Sequence, residues 1–193
     1  MVNIKKRTGV TMDVKISYSN FLTSNNIIDD LMRIESDVYL SDYCGEYSSI
    51  EGRFNKFKDM FVLAYDGSTI IGYLCYFPIS KRLHDDLLLK EGFHDDDIMP
   101  DDVKTLTESN NIYLLSIALY KKYQGQGIGR MMFEAFESKI REEKMKGCVI
   151  EDVIASVVTK QGESLLKKGG FKLVNDYTDT EKYKLYKKDG NEI

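Results

Sequence analysis

The order of apolar runs in this chain of 193 residues predicts an α/β (α+β) fold built around one mixed sheet. Three observations carry the prediction. Strand-like and helix-like periodicities alternate along the chain. Two β-rich runs are separated only by Asp66-Gly67-Ser68. A long apolar run, Ile112–Tyr120, passes through a glycine-rich turn into an amphipathic stretch. One domain suits this length, and a chain of this size can bury about 70% of its unfolded surface without staples.

Val14–Tyr18 alternates apolar and polar residues, as a half-buried strand does. Ile27, Ile28, Leu31, Met32, Ile34, Val38 and Tyr39 recur at helical spacing, with Asn25 or Asn26 available as the cap. Ile50, Phe54 and Phe57 predict a second helix over Ser48–Lys58. Phe61–Tyr65 and Thr69–Phe77 form a hairpin, for which Asp-Gly is a strong signal. The acidic stretch that follows, Ser80–Asn111, predicts a short helix at Leu83–Lys90 within an otherwise irregular insertion.

Ile112–Tyr120 is nearly all apolar, as a central strand buried on both faces would be. Ile128, Met131, Met132, Ala135, Phe136 and Ile140 then mark a long helix, with Gly147 placed to end it. Val153–Val158 reads as a strand, Gln161–Lys168 as a helix stopped by Gly169-Gly170, and Phe171–Val174 and Lys182–Lys187 as two closing strands. Residues 1–12 read as a flexible N-terminal leader, and residues 13–193 as the domain, with the acidic insertion at about 80–111.

Composition narrows the function. With 27 Lys+Arg against 31 Asp+Glu the formal charge is −4, which argues against a nucleic-acid partner that needs clustered cation. Cys44, Cys75 and Cys148 are scattered, no CxxC pair exists, and His84 and His94 are the only histidines, so no metal site is expected. Unpaired cysteine usage suits a reducing, cytoplasmic compartment. No apolar run approaches the roughly 20 residues that span a bilayer, so no membrane partner is expected.

The chemistry concentrates in Tyr123-Gln124-Gly125-Gln126-Gly127-Ile128-Gly129-Arg130, between a buried strand and an amphipathic helix. Glycine lets backbone approach a ligand closely. The first helical turn leaves N–H groups unpaired at the positive end of the helix dipole, a natural anion site. The dinucleotide pattern GxGxxG started at Gly125 would need glycine where Arg130 stands, and the P-loop pattern fails at Arg130 and Met131. The segment instead fits Gln/Arg-x-x-Gly-x-Gly/Ala at Gln124, Gly127 and Gly129.

With that motif in this order of elements, the chain resembles the GNAT superfamily of N-acetyltransferases from about Asp13 to Lys187. The resemblance implies a mixed, mostly antiparallel central sheet flanked by helices, in the order β-α-α-β-β-β-α-β-α-β-β. It implies acetyl-CoA as co-substrate. Gln124, Gly125, Gln126, Gly127, Ile128, Gly129 and Arg130 would grip its pyrophosphate. Ile117, Ala118 and Leu119 would pair with the pantetheine arm, and the Ile117 amide would polarise the thioester carbonyl. Thr159 stands where the family often has a cofactor-contacting Asn; its hydroxyl can reach the cofactor or cap the helix. The reaction implied is acetyl transfer to a primary amine by direct attack, without a covalent enzyme intermediate.

The proton-transfer half of the pattern is missing. The usual glutamate base, eleven residues before the motif's Gln, is Tyr113, and the usual tyrosine acid is Leu166. No catalytic residue is assigned, and an acyl-CoA-binding regulatory protein on the same scaffold stands as the alternative. The resemblance places the acceptor, a small-molecule or peptide amine, near Asp42, Tyr43, Glu46, Tyr47, Asp95-Asp96-Asp97 and Asp101-Asp102, where carboxylates suit a cation; the aspartate run reads first as a solvated loop. It also allows a homodimer through the late strands.

Overall fold

The computed structural model describes residues 2–5, 11–19, 27–89, 98–178 and 183–193. The elements are β1 (Val2–Lys5), β2 (Thr11–Tyr18), α1 (Ile27–Val38), α2 (Tyr47–Lys56), β3 (Phe61–Asp66), β4 (Thr69–Ile79), α3 (Lys81–Leu89), β5 (Asn111–Leu119), α4 (Ile128–Met145), β6 (Asp152–Val157), α5 (Lys160–Lys168), β7 (Lys172–Tyr177) and β8 (Tyr183–Asp189). The strands form one sheet in the order β1-β2-β3-β4-β5-β6-β8-β7. Its ladders are antiparallel for β1/β2, β2/β3, β3/β4, β6/β8 and β7/β8 and parallel for β5/β6. The expected fold class, α/β with a mixed, mostly antiparallel sheet and helices, is the one observed.

The chain divides into two compact units, Met1–Cys75 with Ser116–Phe136, and Tyr76–Leu115 with Glu137–Ile193. In the first, Met12 and Val14 of β2 are buried while Asp13 and Lys15 are exposed; Ile16, Ser17 and Tyr18 are all half-buried, so the alternation expected over Val14–Tyr18 holds only at its start. Helix α1 buries Ile27, Leu31 and Ile34, and α2 buries Ile50 and Phe54. Phe54 meets Phe61 of β3 edge-on, with ring centroids 5.1 Å apart. The hairpin forms as expected, but its two loop residues are Gly67 and Ser68, because Asp66 pairs with Thr69 as the last rung. Val2–Lys5 pairs with Thr11–Val14, so part of the segment read as a loose leader is an edge strand.

In the second unit, Ile112, Tyr113 and Leu114 of β5 and Val153, Ile154 and Ala155 of β6 are buried side by side in parallel register. Tyr183, Leu185 and Tyr186 of β8 and Leu166 of α5 complete its apolar interior. The described part of the acidic insertion is more ordered than its composition foretells. Helix α3 fills the place of the helix expected at Leu83–Lys90, and Ile79 bridges to Val103. Asp102 is 3% exposed. It accepts from Ser80 Oγ at 2.7 Å, from Arg82 Nε at 3.2 Å and from the Met99 N–H at 3.1 Å. A buried carboxylate needs such partners, so Asp102 serves the fold, and Asp101 beside it stays exposed. His94, Asp95-Asp96-Asp97, Lys90, Lys182 and the candidate caps Asn25 and Asn26 lie outside the described residues.

Candidate functional site

The glycine turn and the end of β5 both belong to the first unit. Gly125 and Gly127 have φ of +73° and +85°, left-handed values that side-chain-bearing residues adopt only at a cost. A Cβ at either would meet no protein atom within 4 Å, so the turn leaves open space over its backbone. The Met131 N–H reaches the Gly127 carbonyl at 3.0 Å as the first bond of α4. Ile128, Gly129 and Arg130 are therefore the first-turn residues, whose N–H groups have no helical partner. Eighteen residues of helix stand behind them, placing the positive end of the dipole at this turn. The geometry is that of an anion site.

Side chains brace the turn. Asp37 of α1 accepts the Lys121 N–H at 2.7 Å. Tyr123 donates to Asp66 at 3.0 Å, and burial followed by that bond raises its hydroxyl pKa above the ordinary value. Gln124 folds back to donate to the Leu119 carbonyl at 2.9 Å, and Gln126 to the Lys122 carbonyl at 3.0 Å. The motif's glutamine thus positions the loop through its side chain. Arg130 is exposed and paired with Glu134 at 2.7 Å. Lys121 and Lys122 are exposed just before the turn and add positive charge to it.

The strand leading into the turn has an open edge. Tyr120 donates its N–H to Ile71 of β4 at 3.0 Å, and the Ala118 carbonyl points at Gly72. By strand alternation the main chain of Ile117 and Leu119 faces the opposite edge. On that side the β5/β6 ladder runs from Asn111↔Asp152 to Leu114↔Ala155, and no rung is formed beyond Leu114 among the described residues. An extended ligand arm can pair there as an added strand does. Gly72 makes the β4–β5 approach possible: a Cβ would stand 2.8 Å from the Ala118 carbonyl oxygen and 2.7 Å from Leu119 Cδ1.

Behind this edge lies a polar group that periodicity alone did not single out. Glu35, on the apolar face of α1, is 5% exposed and accepts the Gly45 N–H at 2.7 Å. Tyr73 of β4 donates to its other oxygen. Ser116 donates to Tyr73 at 3.3 Å, and Tyr39 lies 3.1 Å from Ser116 Oγ. The signal was present in the sequence, since Glu35 follows Leu31 by four residues and sits on the helix's buried stripe.

Of the expected site residues, Ile117, Ala118, Leu119 and Gln124–Arg130 form one continuous strand-to-helix feature. Thr159 is in the second unit and caps α5, accepting the Gly162 N–H at 3.1 Å. Tyr113 is 2% exposed, with its hydroxyl on Ser156 at 3.2 Å, and Leu166 is buried. Among the described residues no group of three or more His, Cys, Asp or Glu is placed to hold a metal ion, and no helix is long and apolar enough to cross a membrane.

The site is built on a strand with an open edge that runs through a left-handed glycine turn into a helix. The family model described as "Acetyltransferase (GNAT) family" matches residues 27–158, and the chain belongs to that family. Among curated proteins, no match is found. Among solved structures, the loading GNATL domain of CurA from Lyngbya majuscula is similar at 13% identity, covering 93% of this chain and 99% of that one, with a TM-score of 0.71. The PaiA N-acetyltransferase from Thermoplasma acidophilum, in complex with coenzyme A, is similar at 18% identity, covering 92% and 99%, with a TM-score of 0.52. The GphF GNAT-like decarboxylase, in complex with isobutyryl-CoA, is similar at 9% identity, covering 92% and 98%, with a TM-score of 0.67. These likenesses establish the shared fold.

Proposed function

We propose that this protein transfers the acetyl group of acetyl-CoA to a primary amine of a small, cationic acceptor, by direct attack and without a covalent enzyme intermediate. The observation that carries the reading is the left-handed glycine turn that opens α4 at the end of a strand with a free edge. The N–H groups of the turn and of Ile128–Arg130 would hold the diphosphate, with Lys121 and Lys122 adding charge. The pantetheine arm would pair along Ile117 and Leu119, bringing the thioester to the Ile117 N–H. A donor aimed at the developing oxyanion is usually the largest electrostatic aid in acyl transfer.

The acceptor would enter over the first two helices, where Glu46 is exposed and Tyr47 is 46% exposed. Carboxylate and aromatic groups there suit a cation. Cys44, Cys75 and Cys148 form no disulfide, and we place the protein in the cytoplasm as a monomer or homodimer. Burial of Tyr113 and Leu166 at the usual proton-transfer positions favours a second reading, a regulatory protein that binds acyl-CoA without turnover.

One assay separates the two. The protein is incubated with acetyl-CoA and a broad panel of amines while free thiol is recorded and melting is followed with and without coenzyme A. Transfer predicts thiol release with at least one amine; the regulator predicts a melting shift alone. Coenzyme A at a hundred times its dissociation constant adds about 2.7 kcal/mol, and no shift at saturating coenzyme A would overturn both.

A further inference from the structure

The polar group behind the β5 edge has a direction. Tyr73 donates to Glu35 and Ser116 donates to Tyr73, so the Ser116 oxygen is left to accept from Tyr39. Three hydroxyls then donate in one sense, toward the carboxylate. Tyr39 also donates to the Ile117 carbonyl oxygen at 3.3 Å, the longer of its two contacts, so its one proton is shared between that carbonyl and Ser116. Residue 117 turns both its N–H and its carbonyl to the same edge of β5, so the Tyr39 hydroxyl stands beside the amide that would face the thioester. At the far end, none of the ion pairs among the described residues includes Glu35. A carboxylate kept out of water without a cation is costly, and a purely structural brace would not need an ionisable group.

We propose that Tyr39, Ser116 and Tyr73 form a proton relay from the acceptor amine to Glu35, which supplies the base that the usual family position lacks. The inference rests on the transferase reading above. Tyr39 is the residue that meets the amine; the other three act through it and position it.

The step balances. The cationic amine gives a proton to Tyr39 as the Tyr39 proton passes to Ser116, the Ser116 proton to Tyr73, and the Tyr73 proton to Glu35. The hydroxyls end neutral and Glu35 ends as a carboxylic acid. The freed lone pair attacks the thioester carbonyl carbon, forming the C–N bond. The C–S bond breaks, the sulfur keeps its electron pair, and it takes the second nitrogen proton to leave as free thiol. Glu35 returns its proton to solvent by the same route once the amide has left.

The surroundings keep the relay loaded. Burial, followed by the charge of Glu35, pushes the Tyr73 hydroxyl well above its ordinary range, so it remains a donor at every working pH. Among the described residues, Cys44 faces Glu35 and Cys75 faces Tyr73. Burial and then Glu35 raise the Cys44 thiol pKa, which keeps that group neutral as well.

The test uses full-length protein, acetyl-CoA and an amine that the wild type acetylates, with thiol release measured from mildly acidic to alkaline pH. Ser116→Ala and Tyr39→Phe cut the relay while leaving the Gly45 and Tyr73 bonds to Glu35 in place, so folding is retained. Each is expected to lower kcat by about 10²–10⁴-fold near neutrality with KM for acetyl-CoA unchanged. The deficit should shrink as pH rises, because the amine then arrives neutral. Glu35→Gln should give the same profile. A loss that is equal at every pH, or wild-type rates in both hydroxyl variants, overturns the relay alone. A wild type silent toward every amine overturns the transferase reading and the relay with it.

Discussion

Replacing Gly72 by alanine tests whether the close approach of β4 to β5 sets the geometry of the carrier site. The added Cβ would stand 2.7 Å from Leu119 Cδ1 and 2.8 Å from the Ala118 carbonyl oxygen. The Leu119 methyl can swing away, but the carbonyl is part of the strand. Ordinary contact is about 3.5 Å, so the strands must part by roughly 0.7 Å. Overpacking of this kind costs about 1–3 kcal/mol, and the loss of chain freedom in the unfolded state returns about 0.4–1 kcal/mol. The net of about 1–2 kcal/mol lowers Tm by about 2–8 °C for a chain of this size. The displaced segment carries Ile117, and a misplacement near 1 Å costs up to about 10²-fold in rate. Differential scanning calorimetry and coenzyme A titration read the two effects. Gly52→Ala, exposed within α2 with no atom within 4 Å, is the control and should raise Tm slightly. A Gly72→Ala protein that melts at or above the wild type and binds coenzyme A with wild-type affinity would refute the argument.

Gly127→Ala puts a side chain at φ +85° in otherwise open space, so the apoprotein should lose about 1–2 kcal/mol from the backbone alone, while coenzyme A affinity measured by calorimetry falls further as the methyl meets the diphosphate. Asp37→Ala leaves the Lys121 N–H without its carboxylate and should weaken coenzyme A binding several-fold, with little change in the helical signal by circular dichroism. Thr159→Ala removes the α5 cap and should cost about 1 kcal/mol in urea unfolding. Glu163 is held down to about 2 by hydrogen bonds from Lys167 and then Tyr186. Its folded pKa lies below its unfolded value, so its stabilisation is whole above about 4.5 and fades as pH falls toward about 2. Glu163→Gln should therefore flatten the acid limb of a stability–pH curve.

Much of this fold could be read from local pattern. The apolar β5 and the 3.6-residue stripe of α4 are properties of neighbours in sequence, and burial follows them. The glycine turn was legible for the same reason, since three glycines beside a helix start have a local cause. What escaped is tertiary. Tyr73 reaches Glu35 across 38 positions, and Lys121 reaches Asp37 across 84. No periodicity encodes such a pairing. Glu35 shows only as a charge on an apolar stripe, and Tyr73 looks like any strand aromatic. Asp102 misled in the opposite sense: its acidic neighbours read as a solvated face, whereas its own Arg82 and Ser80 fold over it.

The bond between Tyr123 and Asp66 links two features that the sequence presents as unrelated. Asp66 closes the β3–β4 hairpin as its last rung, opposite Thr69, and the same residue steadies the ring just ahead of the glycines. One position therefore answers to two masters. Asparagine there would keep the hairpin's preferences yet give up the charge that draws in the phenol. A swap that looks harmless for folding would then surface as a looser grip on any anion at the neighbouring helix.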